Sequence, residues 1–304
     1  MVQRFTHLTL RTLTLAAAMI FFVSAAARGA EDINRSFDMA PGGLLELETD
    51  AGSVDIRTDD TDSVRVSVER SGKNADDLEV SFEQSGNKLR ITGDWNEDKK
   101  SWWGGSSIKV RFKITLPRKF DLDLATSGGS ISVADLDGEL RAHTSGGSLN
   151  FGRIEGRIKA HTSGGSIQVA GGGAEVDVHT SGGSISIGDV SGPIVAKTSG
   201  GSISIDKVSG SIDASTSGGS VRANINAPLK RKSSLSTSGG TVHVTIAKSL
   251  GLDIDAVAGS GGVRSEIPVD GQTRADRKLR GSINGGGVRL SLRSGGGGIR
   301  IYED

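Results

Sequence analysis

Apolar and polar residues alternate in two short runs that repeat every 18 residues through the middle of the chain. Alternation with a period of two is typical of β-strands that bury one face, and no run of helical period interrupts it. Each unit is therefore predicted to contain two strands joined by turns. The first run begins at Ile131, Leu149, Ile167, Ile185, Ile203 and Val221, and the second at Leu140, Ile158, Val176, Ile194 and Ile212.

The pentapeptide TSGGS recurs with the same period, beginning at Thr126, Thr144, Thr162, Thr180, Thr198 and Thr216. We expect its glycines to form turns at positive φ, which glycine adopts without steric cost. The threonine is expected to face inward, with its hydroxyl bonded to the turn backbone or to the next threonine. A catalytic serine is a single residue activated by one base, so this repetition indicates architecture rather than a nucleophile. The predicted structural turn residues are Gly128, Gly129, Gly146, Gly147, Gly164, Gly165, Gly182, Gly183, Gly200, Gly201, Gly218 and Gly219.

A fixed period of this size is the signature of a solenoid, in which equivalent strands of successive units stack about 4.8 Å apart. The sequence predicts an all-β fold, a parallel β-solenoid with 18-residue, two-strand coils over residues 125–304. Beyond Thr216 the units lengthen, and residues 224–233 and 264–282 are expected to loop out at turns. The segments GVRLSL and GGIRIYED are expected to form a final coil whose two closing acids protect the sheet edge from pairing.

Residues 31–124 contain alternating runs separated by polar turns, and they predict an N-terminal β-meander that caps the solenoid. TDAGSVDIRT, beginning at Thr49, resembles a degenerate first repeat. Between two of the predicted strands lies a segment that holds all three tryptophans, Trp95, Trp102 and Trp103. Their side chains either fold over the solenoid end as a lid or form a ligand-binding patch for a glycan, a peptide or a membrane interface.

Residues 1–30 have the layout of a signal peptide, in which Arg4 and Arg11 precede an apolar run from Leu13 to Val23 and small residues follow it. The mature chain is therefore expected to be exported, and to be periplasmic, at the cell surface or extracellular. No later segment is apolar enough to cross a membrane. The chain has no cysteine, so its fold must rest on packing and hydrogen bonds alone.

The charges and motifs indicate neither nucleic-acid binding nor catalysis. The chain carries 36 Lys and Arg against 36 Asp and Glu, and its basic runs are short, so we expect no nucleic-acid partner. No phosphate-binding loop, zinc-protease motif or nucleophile elbow is present in the sequence. We therefore expect no catalytic residue and no cofactor.

One outward column of the predicted coils contains His143, His161 and His179, followed by Lys197. Two neighbouring imidazoles about 4.8 Å apart are able to share a metal ion, although the third lies too far away for the same ion. The alternative is a stacked polar ladder on a solvated face. A neighbouring column alternates in sign through Glu139, Arg157 and Glu175, and predicts a ladder of exposed ion pairs that helps to fix the register.

The export signal, the N-terminal strands, the segment VRFKITLPRKFDLDLATSGGSISV and the SGG turns that end in GGGGIRI together resemble the bacterial putative-adhesin family. The family is similar to the head domains of putative autotransporter adhesins, and its members are β-solenoid domains of largely unassigned function. The resemblance covers roughly residues 40–301 and specifies the fold more than the function. It implies attachment at a cell surface or association with the cell envelope, and it supplies no catalytic residue.

Three functional hypotheses follow from the sequence. The first is a non-catalytic, exported, adhesin-like or envelope-associated protein that presents a repetitive surface to a cell-surface glycan or protein. The second is a carbohydrate-active enzyme, because parallel β-helices often carry the active sites of polysaccharide lyases and hydrolases. The segments 224–233 and 264–282 would then line a substrate-binding groove, with Asp270, Arg274, Asp276 and Arg277. The third is a scaffold without a ligand.

Overall fold

The structure, a computed structural model, describes residues 32–72, 75–95 and 109–304, and in these ranges the chain is almost entirely β-strand. The first seven strands are β1 (Ile33–Asp38), β2 (Gly43–Thr49), β3 (Ser53–Asp59), β4 (Ser63–Ser71), β5 (Leu78–Ser85), β6 (Lys88–Trp95) and β7 (Lys109–Pro117). A turn of 3-10 helix, Ala75–Asp77, joins β4 to β5. The signal-peptide region at residues 1–30 lies outside the described residues.

The repeating units contain fourteen strands: β8 (Phe120–Thr126), β9 (Ile131–Val133), β10 (Leu140–Thr144), β11 (Leu149–Ile154), β12 (Ile158–Thr162), β13 (Ile167–Gly172), β14 (Val176–Thr180), β15 (Ile185–Val190), β16 (Ile194–Thr198), β17 (Ile203–Val208), β18 (Ile212–Thr216), β19 (Val221–Ile225), β20 (Ser233–Thr237) and β21 (Val242–Ile246). Six strands follow: β22 (Leu252–Ala258), β23 (Val263–Ser265), β24 (Asp270–Ala275), β25 (Lys278–Ile283), β26 (Val288–Ser294) and β27 (Ile299–Glu303).

The strands form two long, mostly parallel sheets, so the predicted β-solenoid is confirmed. Sheet A has the order β1-β4-β7-β3-β9-β11-β13-β15-β17-β19-β21-β27-β23. Sheet B has the order β24-β25-β22-β26-β20-β18-β16-β14-β12-β10-β8-β2-β6-β5. Each coil contributes one strand to each sheet, and the next coil repeats the same path one strand further along.

The register of the stack follows the 18-residue period. In β10 and β12, for example, Leu140 pairs with Ile158 and Thr144 pairs with Thr162. Side chains alternate between a buried inner face and a more exposed outer face, so the apolar columns of both sheets meet in one continuous core. Burial of each large aliphatic side chain stabilises the fold by roughly 1.5–3 kcal/mol, and the core runs through every coil.

The N-terminal segment is not the simple meander that the sequence predicts. Strands β2 and β3 form a true first coil, because β2 pairs in parallel with β8, and β3 with β9. Strands β6 and β7 form a second coil that stacks outside it, although it comes later in the chain. Beyond that coil β4 and β5 run antiparallel to their neighbours and close the end, with β1 at the edge of sheet A.

The other end is interleaved in the same way, and two predictions about it are wrong. Strands β26 and β27 are inserted between the coil of β20 and β21 and the coil of β22 and β23, so β27 is not an edge strand. Residues 264–282 do not loop out, because they continue through β23 into the antiparallel strands β24 and β25, which extend sheet B. These two antiparallel strands form the end of sheet B and the short strand β23 forms the end of sheet A, so the acids that close the sequence do not lie on an edge strand.

The TSGGS glycines lie in the bends between strands, but the predicted reason for them is wrong. None of the twelve has a positive φ; the left-handed glycines are elsewhere, for example Gly42 and Gly262. The second glycine of each pair is instead needed for close approach. A Cβ placed on Gly147 would lie 2.0 Å from the carbonyl oxygen of Gly129 in the preceding coil. A Cβ on the first glycine, Gly146, would meet nothing closer than 3.5 Å.

The threonine of each pentapeptide joins neighbouring turns. Thr162 is fully buried, and its hydroxyl donates a hydrogen bond of 2.8 Å to the carbonyl of Gly147 in the preceding coil. The same hydroxyl accepts a bond of 3.3 Å from the N–H of Gly165 in its own turn. Ser294 makes the equivalent pair of bonds at the end of β26. The corner hydroxyls therefore satisfy turn groups that the strand ladders leave unpaired.

Candidate interaction surface

The outer face of sheet A carries a single polar column that crosses all thirteen strands, one residue from each strand. Its members occupy equivalent register positions, so neighbours lie about 4.8 Å apart. No apolar residue occurs in the column. From β1 to β23 it consists of Asn34, Ser67, Lys113, Asp55, Ser132, Asn150, Gln168, Ser186, Ser204, Arg222, His243, Arg300 and Arg264.

The last four members of this column, Arg222, His243, Arg300 and Arg264, form what we call the basic stripe. They belong to the consecutive strands β19, β21, β27 and β23. The three arginines are exposed. Within the described parts of the chain, no carboxylate forms an ion pair with any of them. The stripe therefore presents, along one line, three guanidinium groups that have no carboxylate partner among the described residues.

His243 lies between two of these arginines and is partly buried. Burial lowers the pKa of its imidazole, and the charges of Arg222 and Arg300 lower it further. The ring of Tyr302, in the neighbouring column, packs edge-on against it at 6.1 Å between centroids. Its Nε2 atom is buried and has no hydrogen-bond partner among the described residues. Around neutral pH the imidazole is therefore mostly uncharged, and the arginines carry the charge of the stripe.

The outer face of sheet B differs, because its charges are mixed and several are paired. Arg157 approaches Glu175 at 3.4 Å, which matches one step of the predicted charge ladder. Arg141 approaches Glu139 at the same distance. These pairs are exposed and contribute little stability, about 0.2–1 kcal/mol each. Among the described residues of this face there is no line of unpaired like charge comparable to that on sheet A.

The three predicted metal-binding histidines do lie in register on sheet B. The rings of His143 and His161 stack in parallel, with 5.3 Å between their centroids. His179 instead makes a 2.7 Å hydrogen bond to Asp177. Burial, followed by the two neighbouring histidines, lowers the pKa of His161. In the described ranges no group of three or more His, Cys, Asp or Glu side chains is arranged to hold a metal ion, and a two-histidine site stays a prediction.

A shallow depression lies on the outer face of sheet A near its other end, across β1, β4, β7 and β3. It is also lined by basic side chains, among them Arg35, Arg57, Arg65 and Lys113. Three of these have carboxylate partners: Arg57 lies 3.7 Å from Asp55, Arg65 lies 3.6 Å from Asp59, and Lys113 pairs with Glu69. This depression therefore offers less unpaired charge than the basic stripe does.

The family model described as Toastrack DUF4097 matches residues 44–302 of the chain, which include almost all of both sheets. The chain belongs to this family. The match confirms the resemblance to a putative-adhesin family of β-solenoids that the sequence motifs indicated. No curated protein matches the chain.

Solved structures similar to this Toastrack chain include a putative cell adhesion protein from Clostridium sporogenes ATCC 15579, with 14% identity, a TM-score of 0.21, and coverage of 90% of this chain and 100% of that one. A putative adhesin (BF0245) from Bacteroides fragilis NCTC 9343 has 10% identity, a TM-score of 0.37, and coverage of 90% and 97%. A putative lipid binding protein from Parabacteroides distasonis ATCC 8503 has 12% identity, a TM-score of 0.34, and coverage of 90% and 98%. Likenesses this distant carry no argument about function.

The tryptophan segment of this Toastrack chain is only partly described. Trp95 is the last residue of β6, where it pairs across the ladder with Leu78 and packs half-buried against the core. Trp102 and Trp103 lie outside the described residues, so the choice between a lid and a binding patch stays open for them. Within the described ranges, no helix has the length and hydrophobicity that are needed to cross a bilayer.

Sequence reasoning missed the basic stripe, although a signal for it was present. Each member stands six residues after a corner residue that ends a strand of sheet B. Arg222 follows Thr216 and His243 follows Thr237 at this offset, as Arg264 follows Ala258 and Arg300 follows Ser294. The unequal lengths of the last units hid the common offset, and the chain order does not reveal that β27 lies between β21 and β23.

Proposed function

We propose that this Toastrack chain is a non-catalytic, exported, adhesin-like or envelope-associated protein that presents its repetitive β-solenoid surface to another macromolecule. The observation that carries the proposal is the unbroken polar column across the thirteen strands of sheet A. A surface of this kind offers one polar side chain from each strand at a constant spacing. It therefore suits a long or repetitive partner better than a small molecule, whose sites are normally concave.

The absence of catalysis is part of the proposal, and the equivalence of the coils supports it. A catalytic residue needs a partner group that activates it in one pocket. Along sheet A, Ser132, Ser186 and Ser204 instead occupy equivalent register positions on an open face. Residues 264–282, which were candidates to wall a groove, contribute strands to the end of sheet B.

Binding is tested by incubating the purified mature chain with a panel of glycans, peptidoglycan and outer-membrane fractions. The column on sheet A is tested with Ser186→Glu, and a matched control places the same charge on the outer face of sheet B with Ser215→Glu. We expect Ser186→Glu to weaken binding and Ser215→Glu to leave it unchanged. A Trp102→Ala/Trp103→Ala variant, checked for unchanged thermal unfolding, tests the tryptophan segment in parallel.

Two results would count against the proposal. Binding to none of the panel members would remove the support for an interaction protein. Release of new reducing ends from any glycan in the panel would show turnover, and the chain would then be an enzyme.

Export is tested separately by fractionating cells that express the full chain and sequencing its N-terminus. An uncut chain in the cytoplasmic fraction would show that residues 1–30 do not act as a signal peptide.

A further inference from the structure

We propose that the basic stripe, Arg222, His243, Arg300 and Arg264, is the binding site for a linear anionic polysaccharide that lies along the solenoid axis. This inference rests on the proposed function, since it names the chemical class of the partner and the place where it binds. The anionic groups of such a polymer are carboxylates or sulfate esters. Guanidinium groups suit both, because their planar array of N–H donors binds two oxygens of one anionic group at once.

The first argument is that the stripe brings positively charged side chains together and that no carboxylate among the described residues pairs with them. Like charges on directly adjacent strands repel one another and destabilise a sheet. Arg300 and Arg264 are direct cross-strand neighbours, and His243 alone separates Arg300 from Arg222. The chain has as many acids as bases, so carboxylates were available for these positions, as the pairs on sheet B show. An anionic ligand would relieve the repulsion that the fold leaves in place.

The second argument concerns two carboxylates that are close in sequence to arginines of the stripe. Glu266 follows Arg264 by two residues, and Glu303 follows Arg300 by three; both are exposed. Neither forms an ion pair with an arginine of the stripe within the part of the chain that the structure describes. The guanidinium groups are therefore free to meet an external anion. At the opposite end of sheet A, by contrast, Arg57 and Arg65 each have a carboxylate within 4 Å.

The third argument is geometric and favours a polysaccharide over other polyanions. The four positions lie on one line, about 4.8 Å apart, and so extend over about 14 Å. An extended pyranose chain advances by a similar distance with each sugar. Acidic groups one or two sugars apart are therefore spaced like Arg264 from Arg300 and Arg300 from Arg222. The stripe is one residue wide, whereas a membrane surface would be expected to meet basic side chains spread over a broad area.

The fourth argument is the chemistry of the neighbouring positions. Tyr302, in contact with His243, provides an aromatic ring beside the charged line, and aromatic faces pack well against the C–H groups of sugars. Beyond Arg222 the same column continues without charge through Ser204, Ser186 and Gln168, which are suited to hydrogen bonds with sugar hydroxyls. Among the described side chains of this face there is no series of aromatic rings on which nucleic-acid bases would stack.

The test compares polygalacturonate with neutral dextran of similar length, using the full mature chain and biolayer interferometry at low and moderate salt. We expect the wild type to bind polygalacturonate, to bind dextran at least tenfold more weakly, and to lose affinity as salt is added. Arg222→Gln/Arg300→Gln should weaken polygalacturonate binding at least tenfold. The matched control is Arg57→Gln/Arg65→Gln, which removes the same charge from the other end of the same sheet and should weaken binding less than threefold.

Thermal unfolding of both variants shows whether they are folded, and all four substituted side chains are exposed. Equal losses in the two variants would mean that net charge rather than the stripe governs binding, and would overturn the inference. Equal or tighter binding to a duplex oligonucleotide or to anionic phospholipid vesicles would overturn the choice of a polysaccharide. If the wild type binds neutral glycans or envelope fractions and the stripe variant binds them equally well, the inference fails while the proposed function stands. Binding to no panel member would reject both.

Discussion

The sharpest prediction concerns the two adjacent glycines of one turn, Gly146 and Gly147, which the sequence presents as equivalent. We expect Gly147→Ala to destabilise the solenoid strongly and Gly146→Ala to be tolerated. A methyl group on Gly147 would lie 2.0 Å from the carbonyl oxygen of Gly129, which is backbone and cannot turn aside. On Gly146 the nearest atom would be the carbonyl oxygen of Gly128 at 3.5 Å, an ordinary contact.

The magnitude follows from what must move. To lengthen the contact at Gly147 from 2.0 Å to an ordinary 3.4 Å, the two coils must separate by more than 1 Å at this corner. That movement stretches the 2.8 Å bond from the Thr144 hydroxyl to the Gly129 carbonyl and the 3.0 Å bond from the Ile131 N–H to the Ser148 carbonyl. Leaving buried groups unpaired costs about 1–3 kcal/mol each, and overpacking strain adds about 1–3 kcal/mol.

We therefore expect Gly147→Ala to lower the free energy of unfolding by at least about 3 kcal/mol. At about 2–4 °C per kcal/mol for a large domain, Tm falls by at least about 6 °C. Gly146 has no positive φ, so alanine there restricts the unfolded chain and stabilises by up to about 1 kcal/mol. Calorimetry of both variants measures the difference. Equal Tm values for the two, or a lower value for Gly146→Ala, would refute the steric explanation of the second glycine.

Three other contacts give predictions that unfolding experiments check. Thr162→Val removes the hydroxyl that bridges two turns and should cost about 1–3 kcal/mol in urea unfolding, whereas Thr162→Ser should retain most of the stability. The pKa values of His161 and His243 are lowered in the folded state, so below pH 6.5 the unfolded chain binds more protons than the folded chain, and the free energy of unfolding decreases as the pH falls. A His161→Gln/His243→Gln variant should show a smaller drop in Tm over that range, and an equal drop would disprove the linkage. Hydrogen bonds from Arg293 and then Arg280 lower the pKa of Asp255 in the folded state. The stability that these bonds contribute is therefore present above pH 3.8 and is lost as the pH falls through the folded-state pKa. Asp255→Asn should therefore lower Tm at neutral pH by an amount that shrinks in acid, and a constant difference would count against these ion pairs.

The regular coils were predictable from sequence because each of their contacts repeats. The alternation that starts at Ile131 and Leu140 fixes which side chains face inward, and the 18-residue period fixes the register with the next coil. The same reasoning failed to predict the strand order at both ends of the solenoid. Alternation identifies β27 as a strand, but it contains no information about which strands flank it. Pairing between β27 and β21 depends on the whole path of the chain in between.

The role of the turn glycines was predictable only in part. The pattern indicates that Gly147 is needed as a glycine, but two physical reasons produce the same pattern. A glycine is required either by a left-handed backbone or by a neighbour too close for a Cβ, and only the three-dimensional structure distinguishes these two reasons. The basic stripe required a third kind of information, namely the spatial order of strands whose order in the chain is different.

The interleaved ends determine how a solenoid of this design is able to change its length. At both ends a coil is inserted between two others, so neither end coil is a separate module that could be removed or duplicated without rebuilding its neighbours. The coils between Thr126 and Thr216 follow one another in simple order and contact only adjacent coils. Gain or loss of whole 18-residue units in that stretch would alter the distance between the two ends while both stay intact. The number of 18-residue units in the middle of the chain therefore sets the length of the solenoid independently of its two ends.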